Sequence, residues 1–432
     1  MVKTFTLSNG IKVVTYKMDQ VKSIHMNVTI KGGSLVEEKS KNGVAHFMEH
    51  MLVQGIPSFP NVERLSTYVE SLAGSYNAYT SQLTVSFIIS LPFIHLEDAV
   101  KISSEVMYAP LFPENVLEKE RKAVITEITQ RKDSLGYKLG KEFKNTRFIE
   151  NSEIQKEIGG SLETIQKITR QDLVNYWQEY FIPENTYIYI GGNFSEKKLK
   201  IFLETNFGKY KLAKKFKEYP ILSKNDFAER KIILKEDKKL GTNYIALSFP
   251  SLSLETNWKD IVLQDIALTT LGQLRTSRLF KLLRYEKGLV YGVGAQRVLL
   301  PKIGYIDVGC EAATEHVKEV MELIAKTVKE YLTNGPTKEE LEFVKHYYVS
   351  TWLMAFDNPA SVAEWLEEEI LWEERVKMPE EYIKMIKNIQ QNDVLSVMQK
   401  YWDMKKLQLL IQGPVASTPE HKKYFEELLS IL

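Results

Sequence analysis

The chain has 432 residues, of which 44% are hydrophobic and 26% charged, an ordinary globular usage that excludes a disordered, collagen-like or membrane-embedded chain. Its 57 Lys and Arg against 56 Asp and Glu leave a net charge of +1, so nothing in the balance points to nucleic acid as a partner, and the length suits two or three domains. The single cysteine, Cys310, rules out an internal disulfide and a thiolate zinc site, so any metal must be held by His and carboxylate groups.

The first residues, Met1 to Leu7, lack the apolar core and small-residue cleavage site of a signal peptide, which predicts a cytoplasmic protein. Two β-prone runs flank Asn9-Gly10 between Phe5 and Tyr16 and predict a hairpin. A strand is expected over His25 to Gly32, helices from about Asn42 to Gln54 and Asn61 to Ala73, then strands around Ser75 to Thr80 and Leu83 to Ser90. The apolar stretch Val85 to Ile94 is too short to cross a bilayer and reads as a buried strand, so no membrane association is expected. A helix begins near His95, another follows Pro113 with Glu114 in its first turn, and a strand at Thr186 to Gly191 closes this half.

A Lys-rich stretch without clear period then marks a linker, and the pattern starts again. Strands are predicted at Lys231 to Leu234 and Asn243 to Phe249, a long helix from Trp258 to Leu283, and strands near Val290 to Val298 and Gly304 to Gly309. Helices over His316 to Leu332 and Thr337 to Leu353 and a strand at Gln408 to Gln412 complete the second half. The recurring order of elements implies an α+β fold of two similar duplicated domains, each a mainly antiparallel sheet packed with helices. The division it suggests is a first domain at 1–212, a linker at 213–228 and a second domain at 229–432.

Chemistry concentrates in Gly43-Val44-Ala45-His46-Phe47-Met48-Glu49-His50-Met51-Leu52. On a helix, His46 and His50 lie one turn apart on one face, about 6 Å along the axis, so both imidazoles can meet one metal ion. Glu49 sits beside the second of them, giving the inverted His-x-x-Glu-His order in which the carboxylate takes a proton from an activated water. With 7 His and 56 acidic residues in 432, chance places such a pattern only about 0.015 times per chain, so two surface histidines beside a solvated Glu are a weak competing explanation.

A catalytic zinc site takes three protein ligands, and the remaining histidines, His25, His95, His316, His346 and His421, have no metal-ligand spacing. Carboxylates are the better source. On the helix after Pro113, Glu120 and Glu127 stand seven residues apart on one face, a spacing that, taken alone, more often marks a solvated surface.

The motif His46-Phe47-Met48-Glu49-His50, followed by Glu127 at 77 positions after the second His and by Glu120 seven residues earlier, resembles the zinc site of the pitrilysin/insulinase family of metallopeptidases. The branch it is most similar to holds the two-domain bacterial peptidases and the mitochondrial processing peptidase. The resemblance implies that zinc is held by His46, His50 and Glu127, that Glu49 is the catalytic base, and that Glu120 orients a ligating His through a hydrogen bond. Val53-Gln54-Gly55-Ile56 departs from the Phe-Lys-Gly-Thr common in the family after the motif, which touches no ligand.

Asn77 and Ala78, in Gly74-Ser75-Tyr76-Asn77-Ala78-Tyr79-Thr80, match the family's Asn-Ala-x-Thr segment, an edge strand onto which a peptide adds as a further strand; Gly-Ser-Tyr-Asn is equally a good turn into any strand. Ser277 through Tyr291 resembles the family's second-domain arginine/tyrosine motif, in which Arg284 would bind a substrate carbonyl and Tyr291 would help hold the tetrahedral oxyanion. In isolation such a pair is commonly a helix-end cation and a strand aromatic. The second domain lacks the His motif and should bear no zinc.

The expectation is therefore a zinc endopeptidase that cleaves short unfolded peptides inside a chamber closed by a homodimer, or by a heterodimer with a sister chain. The alternative is a non-catalytic or partner-dependent subunit of a heteromeric peptidase or assembly complex.

Overall fold

The computed structural model describes residues 2–210, 219–220, 222–371 and 378–432. These residues form two compact units, each with its own mainly antiparallel sheet. Of the stretch expected as a linker, 213–218 and 221 lie outside the described residues.

The first unit takes the described residues within Met1–Asp133, Lys156–Pro220 and Thr351–Pro379. Its strands are β1 (Val2–Thr6), β2 (Lys12–Lys17), β3 (Ser23–Lys31), β4 (Ser75–Thr80), β5 (Thr84–Pro92) and β6 (Thr186–Gly192), arranged β1-β2-β6-β3-β5-β4. Only β2 and β6 run parallel; the hairpin around Gly10, whose φ is +103°, pairs β1 with β2 as its Asn-Gly signal predicted. The period of two along β3 sorts its side chains. Ile24, Met26, Val28 and Ile30 enter the main core, whereas His25, Asn27 and Thr29 point to the opposite face.

The main core is shared with the helices α1 (Val44–Leu52), α2 (Val62–Ser71), α3 (Leu96–Tyr108) and α4 (Glu114–Asp133). The other face of the sheet is covered by the helix Pro359–Ile370, whose Val362, Trp365, Leu366 and Ile370 pack against Val14, Tyr187 and Tyr189. With both faces covered, β6 is buried throughout its length, which is why its sequence is apolar and aromatic at successive positions.

The second unit takes Ser134–Gln155, the described residues within Ile221–Ser350, and Glu380–Leu432. Its strands are β7 (Lys231–Glu236), β8 (Asn243–Ser251), β9 (Val290–Leu300), β10 (Ile303–Ala312) and β11 (Gln408–Gly413), in the order β7-β11-β8-β10-β9. Strand for strand this repeats β2-β6-β3-β5-β4, including the one parallel pair, so the duplication expected from the element order is present in the topology. Each unit also contains a helix from the other half of the chain. Leu135–Arg147 belongs to the second unit because its last residue, Arg147, is buried there, stacked 3.8 Å from the Tyr305 ring and donating to Asp307 (2.6 Å) and Ser248 (2.9 Å).

One long helix was predicted over Trp258 to Leu283, and the structure breaks it. A regular helix ends at Leu268, a π-helical turn follows over Thr269–Gln273, and a second π-helical turn, Lys281–Glu286, follows the short helix Arg278–Phe280. The hydroxyls explain the first break. Thr269 Oγ1 donates to Gln273 Oε1 (2.6 Å) and bonds Tyr348, while Ser277 Oγ donates to the Thr269 carbonyl (2.5 Å), so side chains replace the helical ladder locally. A Cβ on Gly272 would also lie 2.9 Å from that of Ala295, so the turn sits hard against β9.

Candidate metal centre

Helix α1 starts at Gly43, whose φ of +98° and the backbone of Gly159 and Gly160, 2.9 Å from where a Cβ would stand, leave room only for glycine. The carboxylate of Glu37 caps this start by accepting the backbone N–H groups of Gly43 (2.8 Å) and Ala45 (2.7 Å) and the side-chain amide of Asn42 (2.7 Å). Burial nevertheless outweighs these bonds and pushes Glu37 up to about 7. Phe47, Met48, Met51 and Leu52 anchor the helix in the core, which fixes the direction of His46 and His50.

Helix α4 brings Glu127 to both imidazoles. Its Oε2 stands 3.5 Å from His46 Nε2 and 3.4 Å from His50 Nε2. Ligand atoms from these three residues all lie within 4.8 Å of one another, and among the described residues no other group of three His, Cys, Asp or Glu could hold a metal in this way. Two ligands on a tetrahedral ion with bonds of 2.0–2.1 Å stand about 3.4 Å apart, so the distances from Glu127 to the two imidazoles and the donor set of two imidazoles and a carboxylate fit zinc. Glu120, one face and two turns earlier, places Oε2 3.7 Å from His50 Nδ1. Four of the five residues that spacing and resemblance singled out on α1 and α4, His46, His50, Glu120 and Glu127, are thus brought together.

Their environment differs from one to the next. Burial, then the neighbouring His50, lowers His46 to about 4, so it is a neutral imidazole near pH 7. Burial acts the same way on His50, but Glu120, Glu49 and Glu127 around it outweigh that effect and raise it. Glu49 is raised by burial, opposed by a hydrogen bond from Thr80 Oγ1 to its Oε2 at 2.7 Å. A raised carboxyl beside a metal-ligand cluster suits proton transfer in both directions.

Three residues here were not anticipated. Arg131 donates to Glu127 Oε1 at 2.7 Å, one helical turn away, and leaves Oε2 facing the histidines; the i, i+4 spacing was its available signal. Thr80 closes the matched Asn-Ala-x-Thr segment, but its bond to Glu49 arises only through the folding of the sheet, and no local pattern marks Glu37 as the cap of α1. Of the other histidines, His25 is buried on β3 against Ser90 (2.7 Å) and lowered by burial to about 4.

Asn77 and Ala78 lie on β4, the strand at the sheet edge, paired on one side only with β5. Asn77 is exposed, and its Oδ1 accepts the Ala78 N–H at 2.9 Å. In the second unit, Arg284 falls in the π-helical turn and Tyr291 on the edge strand β9; the guanidinium is 4.9 Å from the Tyr291 ring, which is 86% exposed. No helix among the described residues is long and apolar enough to cross a membrane.

Comparison with known proteins gives the family and the fold. An uncharacterized zinc protease from Bacillus subtilis (strain 168) is 26% identical over 84% of this chain and 86% of its own. The beta subunit of the mitochondrial-processing peptidase from Dictyostelium discoideum is 24% identical, covering 97% of this chain and 90% of its own. The crystal structure of a protease from Helicobacter pylori superposes with a TM-score of 0.85 at 20% identity, over 96% of this chain and 99% of that one, which establishes the shared fold. The insulinase (peptidase family M16) model matches residues 12–171 and the peptidase M16 inactive domain model residues 167–348. End to end, they place the chain in the insulinase family of peptidases, M16, with the metal-ligand cluster in its first matched segment.

Proposed function

We propose that this chain is a cytoplasmic zinc-dependent endopeptidase that hydrolyses short, unfolded peptides. The observation that carries the reading is the convergence of His46, His50 and Glu127, with the half-buried Glu49 held beside them by Thr80. His46, His50 and Glu127 would hold the ion, with Glu120 and Arg131 fixing the orientation of His50 and Glu127. Bound there, zinc supplies Lewis acidity that polarises a carbonyl and acidifies water. Glu49 takes a proton from the attacking water and returns it to the leaving amine, a task that its raised affinity for protons favours. The free edge of β4 accepts the peptide as an added strand, for which the Asn77 side chain must release the Ala78 N–H. Arg284 and Tyr291 act on the substrate carbonyl and the oxyanion from the second unit of a partner copy, in a chamber closed by homodimerisation that admits extended peptides and excludes folded proteins.

A second reading, a subunit that works only with a sister chain, is favoured by the similarity to a relative that is itself named a subunit. The purified protein alone decides between them. Stripped with a chelator and reloaded with zinc, it should lose and regain cleavage of a quenched peptide. A zinc-loaded chain that cleaves nothing until another chain is added would establish the second reading.

A further inference from the structure

On the face of the first sheet away from the metal ligands, a buried carboxyl closes a polar cluster. Glu367, on the helix Pro359–Ile370, is 9% exposed. Its Oε1 accepts Thr29 Oγ1 at 2.8 Å, and its Oε2 accepts Tyr79 OH at 2.9 Å and the Asn27 side-chain amide. Ser86 bonds Thr29 at 2.9 Å, so strands β3, β4 and β5 are all tied to one side chain. Burial pushes Glu367 upward, against the pull of these donors. A well-packed apolar residue would hold the helix at lower cost in desolvation, so the cluster is better explained by what it positions than by stability.

Strand β4 shows what that is. Tyr76, Ala78 and Thr80 face the main core, where Thr80 bonds Glu49; Tyr79 faces the other way, onto Glu367, while Ser75 and Asn77 are exposed. As an edge strand, β4 has backbone pairing on one side only among the described residues, so Tyr79 is its tether on this face. The neighbouring residue, Thr80, is the one that holds the proposed base. We infer that Glu367 is a positioning residue of the hydrolytic centre: through Tyr79 it fixes the edge strand, and through Thr80 it fixes Glu49. The inference rests on the peptidase reading above and adds a residue from the far half of the chain to it.

The test compares Glu367→Gln, Tyr79→Phe and their double variant with Tyr108→Phe, which removes a buried hydroxyl, bonded to Thr186, elsewhere in the same unit. At full zinc occupancy, Glu367→Gln and Tyr79→Phe should each lower kcat/KM about tenfold and the double variant no further, with Tyr108→Phe within about twofold of wild type. Amide hydrogen exchange over Ser75–Thr80 should rise in the first two variants and not in Tyr108→Phe. Unchanged kcat/KM in Tyr79→Phe and Glu367→Gln, or effects that add, would overturn the assignment while leaving the peptidase reading intact. A zinc-loaded wild type without peptidase activity would overturn both.

Discussion

Thr80 Oγ1 donates to Glu49 Oε2 over 2.7 Å, so the last residue of the sheet's edge strand holds the carboxylate placed to move protons. That bond lowers a Glu49 carboxyl otherwise raised by burial. Thr80→Val removes the donor, the carboxyl rises further, and a larger fraction of the base is protonated at any acidic pH. The acidic limb of the kcat/KM profile should therefore move to higher pH, with activity on that limb falling about tenfold, the usual cost of a lost bond to a charged group. An unshifted limb would remove Thr80 from the account.

Glu49→Gln keeps the shape of the side chain and removes its basicity. Zinc content should stay at one per chain, because Glu49 is outside the cluster of His46, His50 and Glu127, while peptide hydrolysis should fall about 10²–10⁴-fold. Metal analysis and initial rates on the same sample check both halves of the statement.

Arg131 and Glu120 each orient one member of the cluster, and each should matter to metal retention as well as to turnover. Arg131→Ala frees Glu127 Oε1, and Glu120→Gln removes the carboxylate facing His50 Nδ1; either should weaken zinc binding about 10–100-fold in competition with a chromogenic chelator. Equal affinity in wild type and variants would make these contacts incidental.

Glu37 gives a stability prediction with a definite sign. Its folded value of about 7 lies above the ordinary 4.5, so between those pH values the folded chain binds more protons than the unfolded one. By linkage, stability from this group is greatest below about 4.5 and is lost as pH rises through about 7, by about 3 kcal/mol at most. Glu37→Gln lacks that slope, although it also surrenders one of the two helix-capping bonds. The difference in ΔG between wild type and Glu37→Gln, measured by urea unfolding across this range, should shift steadily in favour of the variant as pH rises.

Much of this was legible in the residues themselves. Period-two runs and the Asn-Gly turn located β1 to β6 within a few positions, and the i, i+4 histidines with Glu49 between them marked the chemistry. What escaped detection depends on which side chains find partners in the fold. The break after Leu268 depends on Thr269 and Ser277 finding backbone and side-chain partners that a helical period cannot reveal. The helices Leu135–Arg147 and Pro359–Ile370 belong to units formed mainly by the other half of the chain, and the side-chain hydrogen bonds of Arg147 and Glu367 run to residues at least 101 and 288 positions away. Thr80 was within a matched segment, but its bond to Glu49 exists only once the sheet packs against α1.

The central claim is that one metal ion joins helix α1 to helix α4. Anomalous diffraction at the zinc edge from crystals of the zinc-loaded protein tests it most directly. A single strong peak within bonding distance of His46, His50 and Glu127 is the predicted result; a peak elsewhere, or one bonded to the two histidines with Glu127 turned away, would contradict it.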